Sequence, residues 1–187
     1  MKILGAIIAG GKSSRMGQDK ALMVWHGKAL IEHVALRLGP QVDALVVNTN
    51  IAPFSQQEKA ALKTIPDLLT IGTPLAGLHA VLAYASDANF DAVLTSPCDT
   101  PLLPLDLRER LAGAGPAIAA SPGQSHYLTG FWPVFLLPVL DVALKGGLIR
   151  VKDWVKLCDA RIVEWQGEDP FINLNTPEDL ARLSEKP

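Results

Sequence analysis

Short apolar runs alternating with amphipathic stretches predict an α/β fold built around a largely parallel sheet. Two further observations support that class. The first apolar run passes straight into a loop of small and basic residues, Ile7 to Lys20 reading IIAGGKSSRMGQDK, and polar residues recur where later runs end. In an open α/β sheet, ligands bind outside the carboxyl ends of the strands. Gly10–Lys20, Asn48, Asp67 and Asp99 are therefore expected to share one edge of the sheet.

Taken in order, Leu4–Ala9 reads as the first strand, and Leu30–Leu38 as the first helix because Leu30, Ile31, Val34, Ala35 and Leu38 fall on one face. Ala44–Asn48 is a second strand, Ser55–Leu62 a helical segment and Thr64–Ile65 a short strand before Pro66 and Asp67. The turn Gly72-Thr73-Pro74 opens a helix running to about Tyr84. Asp91–Ser96 (DAVLTS) reads as a buried strand ending in Pro97-Cys98-Asp99-Thr100-Pro101, where two prolines bracket one carboxylate. Beyond Gly113 the pattern loosens, with strands expected over Ala117–Ala120, Leu128–Trp132 and Arg161–Trp165 and helices over Val134–Leu144 and Arg150–Leu157. At the C-terminus, Thr176 as N-cap, Pro177 at the first helical position and Glu178 and Asp179 in the first turn predict a final helix.

With 187 residues, 49% of them hydrophobic, the chain can fill one sizeable core, and a single globular unit over 1–187 is expected. The formal net charge of −2 gives no basic excess for holding a long nucleic acid, so phosphate binding must be local and a nucleotide is the better-suited partner. Cys98 and Cys158, the two cysteines, have no ligand-like spacing, which argues against a disulfide or zinc framework and for a reducing compartment, the cytoplasm. The apolar run Ile3 to Ala9 is too short for a signal sequence, and no run reaches membrane-spanning length.

The glycine loop is suited to polyphosphate. Gly10, Gly11 and Gly17 lack Cβ atoms, so backbone N–H groups can approach an anion closely; Ser13 and Ser14 add hydroxyls, and Arg15 and Lys20 add charge. It is not a P-loop, because the glycine required five residues before Gly11-Lys12-Ser13 is Ala6, and no G-x-G-x-x-G occurs. Lys20 reads either as a phosphate contact or as a solvated lysine. Asp99 reads either as a carrier of Mg²⁺ beside substrate phosphates or as a cap for a following helix over Leu102–Leu111. Asn48 and Asp67 read as site residues or as strand-ending turn residues.

Taken together, these residues resemble the molybdenum cofactor guanylyltransferase family of the nucleotidyltransferase superfamily. The matching segments are Ala9 to Gly17 (AGGKSSRMG) with Asp19-Lys20-Ala21-Leu22, Val46-Val47-Asn48, Pro74-Leu75-Ala76-Gly77, Pro97 to Pro101 (PCDTP) and Asn173 to Leu180 (NLNTPEDL). The resemblance implies a Rossmann-like nucleotidyltransferase fold, a mostly parallel central sheet with helices on both faces. It also implies transfer of GMP from Mg·GTP to the phosphate of molybdopterin, with release of pyrophosphate. The N-terminal half would bind nucleotide through Ile8, Ala9, Gly10, Gly11, Lys20, Asn48, Asp67 and Asp99, with Arg15, Lys20 and Asp99 catalytic and Asp99 holding magnesium. The C-terminal half would take the acceptor, with Gly77, His126, Arg150, Lys152, Asn173 and Asn175 as candidates. Arg150 and Lys152 read equally as a solvated helix face. Partners are GTP and molybdopterin, with transient contact to molybdoenzymes or their chaperones, and neither nucleic acid nor membrane.

The chain departs from the family pattern at Ala29, where Gly-Lys-Pro-Leu is usual, at Thr73, where glycine usually precedes Pro74, and at Tyr127, where His-Pro is usual. Three alternatives stand beside guanylyl transfer: a CTP-dependent or sugar-phosphate nucleotidyltransferase, a non-catalytic nucleotide-binding or cofactor-delivery module, and a P-loop NTPase, which the glycine spacing disfavours. Whether Trp25, Trp132, Trp154 and Trp165 belong to the core or face the acceptor is left open by their spacing.

Overall fold

The computed structural model describes residues 1–10, 20–50, 62–174 and 179. Its centre is strand β1 (Ile3–Ile8), buried at every position and continuously apolar, as a strand covered on both faces must be. Parallel to it on one side lie β4 (Ala44–Asn48) and then β5 (Lys63–Ile65); on the other side lies β6 (Ala92–Pro97). The seven-stranded sheet continues through β8 (Gln124–Pro133) and β7 (Ala117–Ser121) to β9 (Arg161–Glu164), giving the order β5-β4-β1-β6-β8-β7-β9. Only β8 runs against the others among these strands, because it joins β7 in a hairpin across Pro122 and Gly123. The expected strand over Leu128–Trp132 is thus the second half of a ten-residue antiparallel strand.

The alternation of β1 divides the core in two. Ile3 and Ile7 pack with Val34 and Leu38 of α1 (Leu30–Leu38) and Leu107 and Leu111 of α3 (Leu107–Leu111). Leu4 and Ile8 pack with α2 (Pro74–Asp87), Leu140 of α4 (Leu137–Lys145) and Trp154 of α5 (Val151–Leu157). Helices therefore cover both faces. The helix after Asp99 is shorter than the expected Leu102–Leu111 and starts five residues later, at Leu107. Trp132 and Trp154 are buried core residues 6.5 Å apart, and Trp165 packs edge-on to Phe171, so all three are structural.

A small hairpin of β2 (Val24–Trp25) and β3 (Lys28–Ala29) turns through His26 and Gly27, both at positive φ, the signature of a tight primed turn. α2 begins as expected: Thr73 caps it by accepting from Leu75 N, and Pro74 is its first residue. The segments expected as helix over Ser55–Leu62 and from Pro177 onward lie outside the described residues, apart from Leu62 and Asp179.

Candidate functional site

The parallel registers Ile8↔Asn48 and Ile8↔Pro97 bring the ends of β4, β1 and β6 level. Ala9 N donates to Asn48 O at 2.9 Å and Cys98 N to Ile8 O at 3.2 Å, so the start of the glycine loop emerges between Asn48 and the Pro97–Asp99 turn. Asn48 is fully buried, and its Nδ2 donates to Ile65 O (3.1 Å) and to Asp67 Oδ1 (2.9 Å). The second oxygen of Asp67 accepts from Asn50 Nδ2 at 2.7 Å, while Asp67 N donates to Asn50 Oδ1 at 2.8 Å. Each oxygen of Asp67 is thus fixed by an amide, which orients Asn48 beneath the loop. Asn48 Oδ1 is buried and has no hydrogen-bond partner among the described residues.

Two glycines make that position available. A Cβ on Gly10 would stand 3.2 Å from Asn48 Oδ1, and one on Gly77 only 2.2 Å from it, well inside any tolerable contact. Gly77, expected among the acceptor candidates, packs against Asn48 and is not among the residues lining the cleft beside Asp99.

Asp99 follows β6 in a turn held by Thr100, whose hydroxyl donates to Pro97 O (3.1 Å) and lies 3.0 Å from Ser96 Oγ. Leu174 N donates to Asp99 O at 2.9 Å, drawing the segment with Asn173 onto the same turn. Among the described residues no three His, Cys, Asp or Glu side chains gather as a protein metal cage. One carboxylate at a strand end fits a hard cation that takes most of its remaining ligands from substrate phosphates and water, as Mg²⁺ does.

Beyond Asp99 opens a cleft of about 550 Å³, walled by Pro74 of α2, the first half of β8 and the start of α5, and lined among others by Asp99, His126, Arg150, Lys152 and Asn173. His126 is 8% exposed; its Nε2 lies 2.8 Å from Ser121 Oγ and 3.4 Å from Asp169 Oδ1, and its ring packs 4.7 Å from Phe171. Burial pulls the imidazole below its ordinary pKa, with the Asp169 carboxylate opposing the shift. Because Ser121 and Asp169 approach the same ring nitrogen, this is not a Ser-His-Asp triad, which needs them on opposite nitrogens. Arg150 pairs with Asp153 at 2.6 Å. Thr73 Oγ1 donates to Ile149 O at 2.5 Å, tying the start of α2 to the segment carrying Arg150.

Lys20 opens a 3₁₀ turn, Lys20–Leu22, while Gly11, Arg15 and Asn175 lie outside the described residues. Sequence reasoning passed over Asn50 and Thr129. For Asn50 a signal existed, since it follows Asn48 by two at the end of an apolar strand; for Thr129 there was none.

A family profile described as the MobA-like NTP transferase domain matches residues 5–160. Molybdenum cofactor guanylyltransferase of Rhodobacter capsulatus is 39% identical over 191 aligned residues, covering 100% of this chain and 97% of that one. The protein of the same name from Cereibacter sphaeroides is 40% identical over 186 residues, covering 97% and 95%. Among solved structures, molybdopterin-guanine dinucleotide biosynthesis protein A of Archaeoglobus fulgidus superposes with a TM-score of 0.71 at 24% identity, covering 97% of each chain. The 2-C-methyl-D-erythritol 4-phosphate cytidylyltransferase of Thermus thermophilus superposes with a TM-score of 0.67 at 18% identity, covering 97% and 96%, a likeness of fold. With Ala9 and Gly10 leaving β1 between Asn48 and the Asp99 turn, and with full-length relatives at this identity, the chain belongs to the MobA-like NTP transferase family.

Proposed function

We propose that the chain transfers GMP from GTP to the phosphate of molybdopterin, forming molybdopterin guanine dinucleotide and releasing pyrophosphate. The observation that carries this reading is the place of Asp99, which follows β6, the strand paired with β1, and lines the adjoining cleft, a position from which one carboxylate would serve both substrates. The relatives' name, molybdenum cofactor guanylyltransferase, supplies the choice of base and acceptor. In this reading the chain is one unit, with a nucleotide-binding N-terminal half and an acceptor-binding C-terminal half, at work in the cytoplasm. Its product passes to a molybdoenzyme or its chaperone. Among the described residues no helix is long and apolar enough to cross a membrane.

A phosphate oxygen of the acceptor forms a bond to the α-phosphorus of GTP, the bond from that phosphorus to the β-phosphate bridging oxygen breaks, and pyrophosphate leaves with the electron pair. Arg15, Lys20 and the amides of the glycine loop bind the phosphates and hold them in line. Ile8, Ala9, Gly10 and Gly11 supply close backbone approach, and Asn48, oriented by Asp67, seats the nucleoside. Asp99 would hold Mg²⁺, which when bound offsets charge on the phosphates. No general base is needed, because a phosphate monoester has a second pKa of about 6 and is mostly ionised at neutral pH. His126, Arg150, Lys152, Asn173 and Asn175 then serve acceptor binding only.

The test is product formation by purified protein with Mg²⁺, molybdopterin and GTP, CTP or ATP. Guanine dinucleotide alone is expected. A cytosine dinucleotide would keep the mechanism and move the chain to the CTP-dependent activity, the second reading, with which the fold shared with the cytidylyltransferase neighbour is compatible.

A further inference from the structure

Strand β8 loses its pairing in the middle. Against β6 its ladder stops at Thr95↔Gly130, and against β7 the register jumps from Ile118↔Gly130 to Ala119↔His126. Tyr127, Leu128 and Thr129 therefore have no ladder partner on either side, although strand residues precede and follow them. A bulge of this kind leaves residues unpaired and, beside a site, re-aims side chains. The bulge is held open deliberately: Thr95 Oγ1 donates to Leu128 O at 2.7 Å, lies 3.2 Å from Gly130 O and accepts from Trp132 Nε1 at 2.9 Å.

All three unpaired residues line the cleft beside Asp99. Thr129 is 1% exposed, yet its Oγ1 has no hydrogen-bond partner among the described residues. A buried hydroxyl left unpaired is costly in the free protein, and it is explained if a ligand completes it. Rotation about χ1 exchanges the hydroxyl and methyl positions of a threonine.

We propose that the Tyr127–Thr129 bulge is the acceptor-reading element of this enzyme, with the Thr129 hydroxyl hydrogen-bonding the polar edge of a flat heterocycle whose phosphate lies toward Asp99. Thr129 is thus a specificity-determining residue and Thr95 a positioning residue that acts through the bulge. The inference rests on the guanylyl-transfer reading and deepens it: the acceptor is recognised by its heterocycle as well as by its phosphate.

The experiment compares wild type, Thr129→Val and Thr129→Ser in dinucleotide formation, with KM measured for molybdopterin and for GTP, and with thermal melting of the free proteins. Thr129→Val is expected to raise the acceptor KM about tenfold or more, the worth of one lost hydrogen bond in a closed site, with the GTP KM unchanged. Its Tm should equal or exceed that of wild type, since the hydroxyl has no partner to lose, and Thr129→Ser should restore the acceptor KM. An acceptor KM within about twofold of wild type would overturn the proposal, as would a lowered Tm with both KM values raised, the mark of a structural role. Wild-type protein that forms no dinucleotide at all would instead overturn the guanylyl-transfer reading and the bulge assignment with it.

Discussion

The missing Cβ at Gly77 fixes where Asn48 can stand. Asn48 Oδ1 occupies nearly the space that an alanine methyl would take, and its Nδ2 cannot retreat without giving up Ile65 O and Asp67 Oδ1. Gly77→Ala is expected to cost about 1–3 kcal/mol, in the range of overpacking a close-packed interior, and to raise the KM for GTP. Denaturant melts and nucleotide kinetics check both; unchanged stability with unchanged GTP kinetics would mean that Asn48 has room to move. At this scale much of the site was legible. Asn48 and Asp99 stood out because each is a polar residue closing a buried apolar run, the position where an open sheet exposes side chains to ligand. Asn50 and Thr129 did not, because their roles come from partners distant in sequence: Asp67 for Asn50, and for Thr129 a bulge defined only by strands β6 and β7.

Among the elements, β1, α1 and β4 were read almost to the residue, since an apolar run between turn residues and an amphipathic stripe of period 3.6 are properties of the segment itself. β2 and β3 escaped notice: His26-Gly27 is a weaker turn signal than Asn-Gly, and two-residue strands show no alternation. The start of β8, Gln124 to Tyr127, escaped because its polar residues line the cleft and mask the period of two. That half-strand is tied to the segment before Asn173 through His126, which contacts Asp169 and Phe171. Burial lowers the His126 pKa, so below the ordinary value of 6.5 the unfolded chain binds a proton that the folded chain does not yet hold. Stability therefore falls as pH drops through 6.5 toward the lowered value. Urea midpoints measured from pH 7.5 down to about 5 are expected to decline more steeply in wild type than in His126→Gln; equal slopes would contradict this.

For the whole molecule, the alternation of strand and helix gave the class but not the strand order. A parallel sheet that admits one antiparallel strand, β8, does so because a two-residue turn leaves no length for a crossover, and the strand returning from that turn at Pro122 and Gly123 walls the cleft beside Asp99. Asp99 stands between the end of β1, from which Ala9 and Gly10 lead into the glycine loop, and the cleft lined by the bulge of β8. The central claim is that these regions join an acceptor phosphate to the α-phosphorus of GTP. The most direct test supplies purified protein and molybdopterin with GTP labelled at either the α- or the γ-phosphate, and follows the label in wild type and in Asp99→Ala. The α-label is expected in the dinucleotide and the γ-label in pyrophosphate, both lost in the variant. A γ-label released as orthophosphate, with no α-label transferred, would contradict the account.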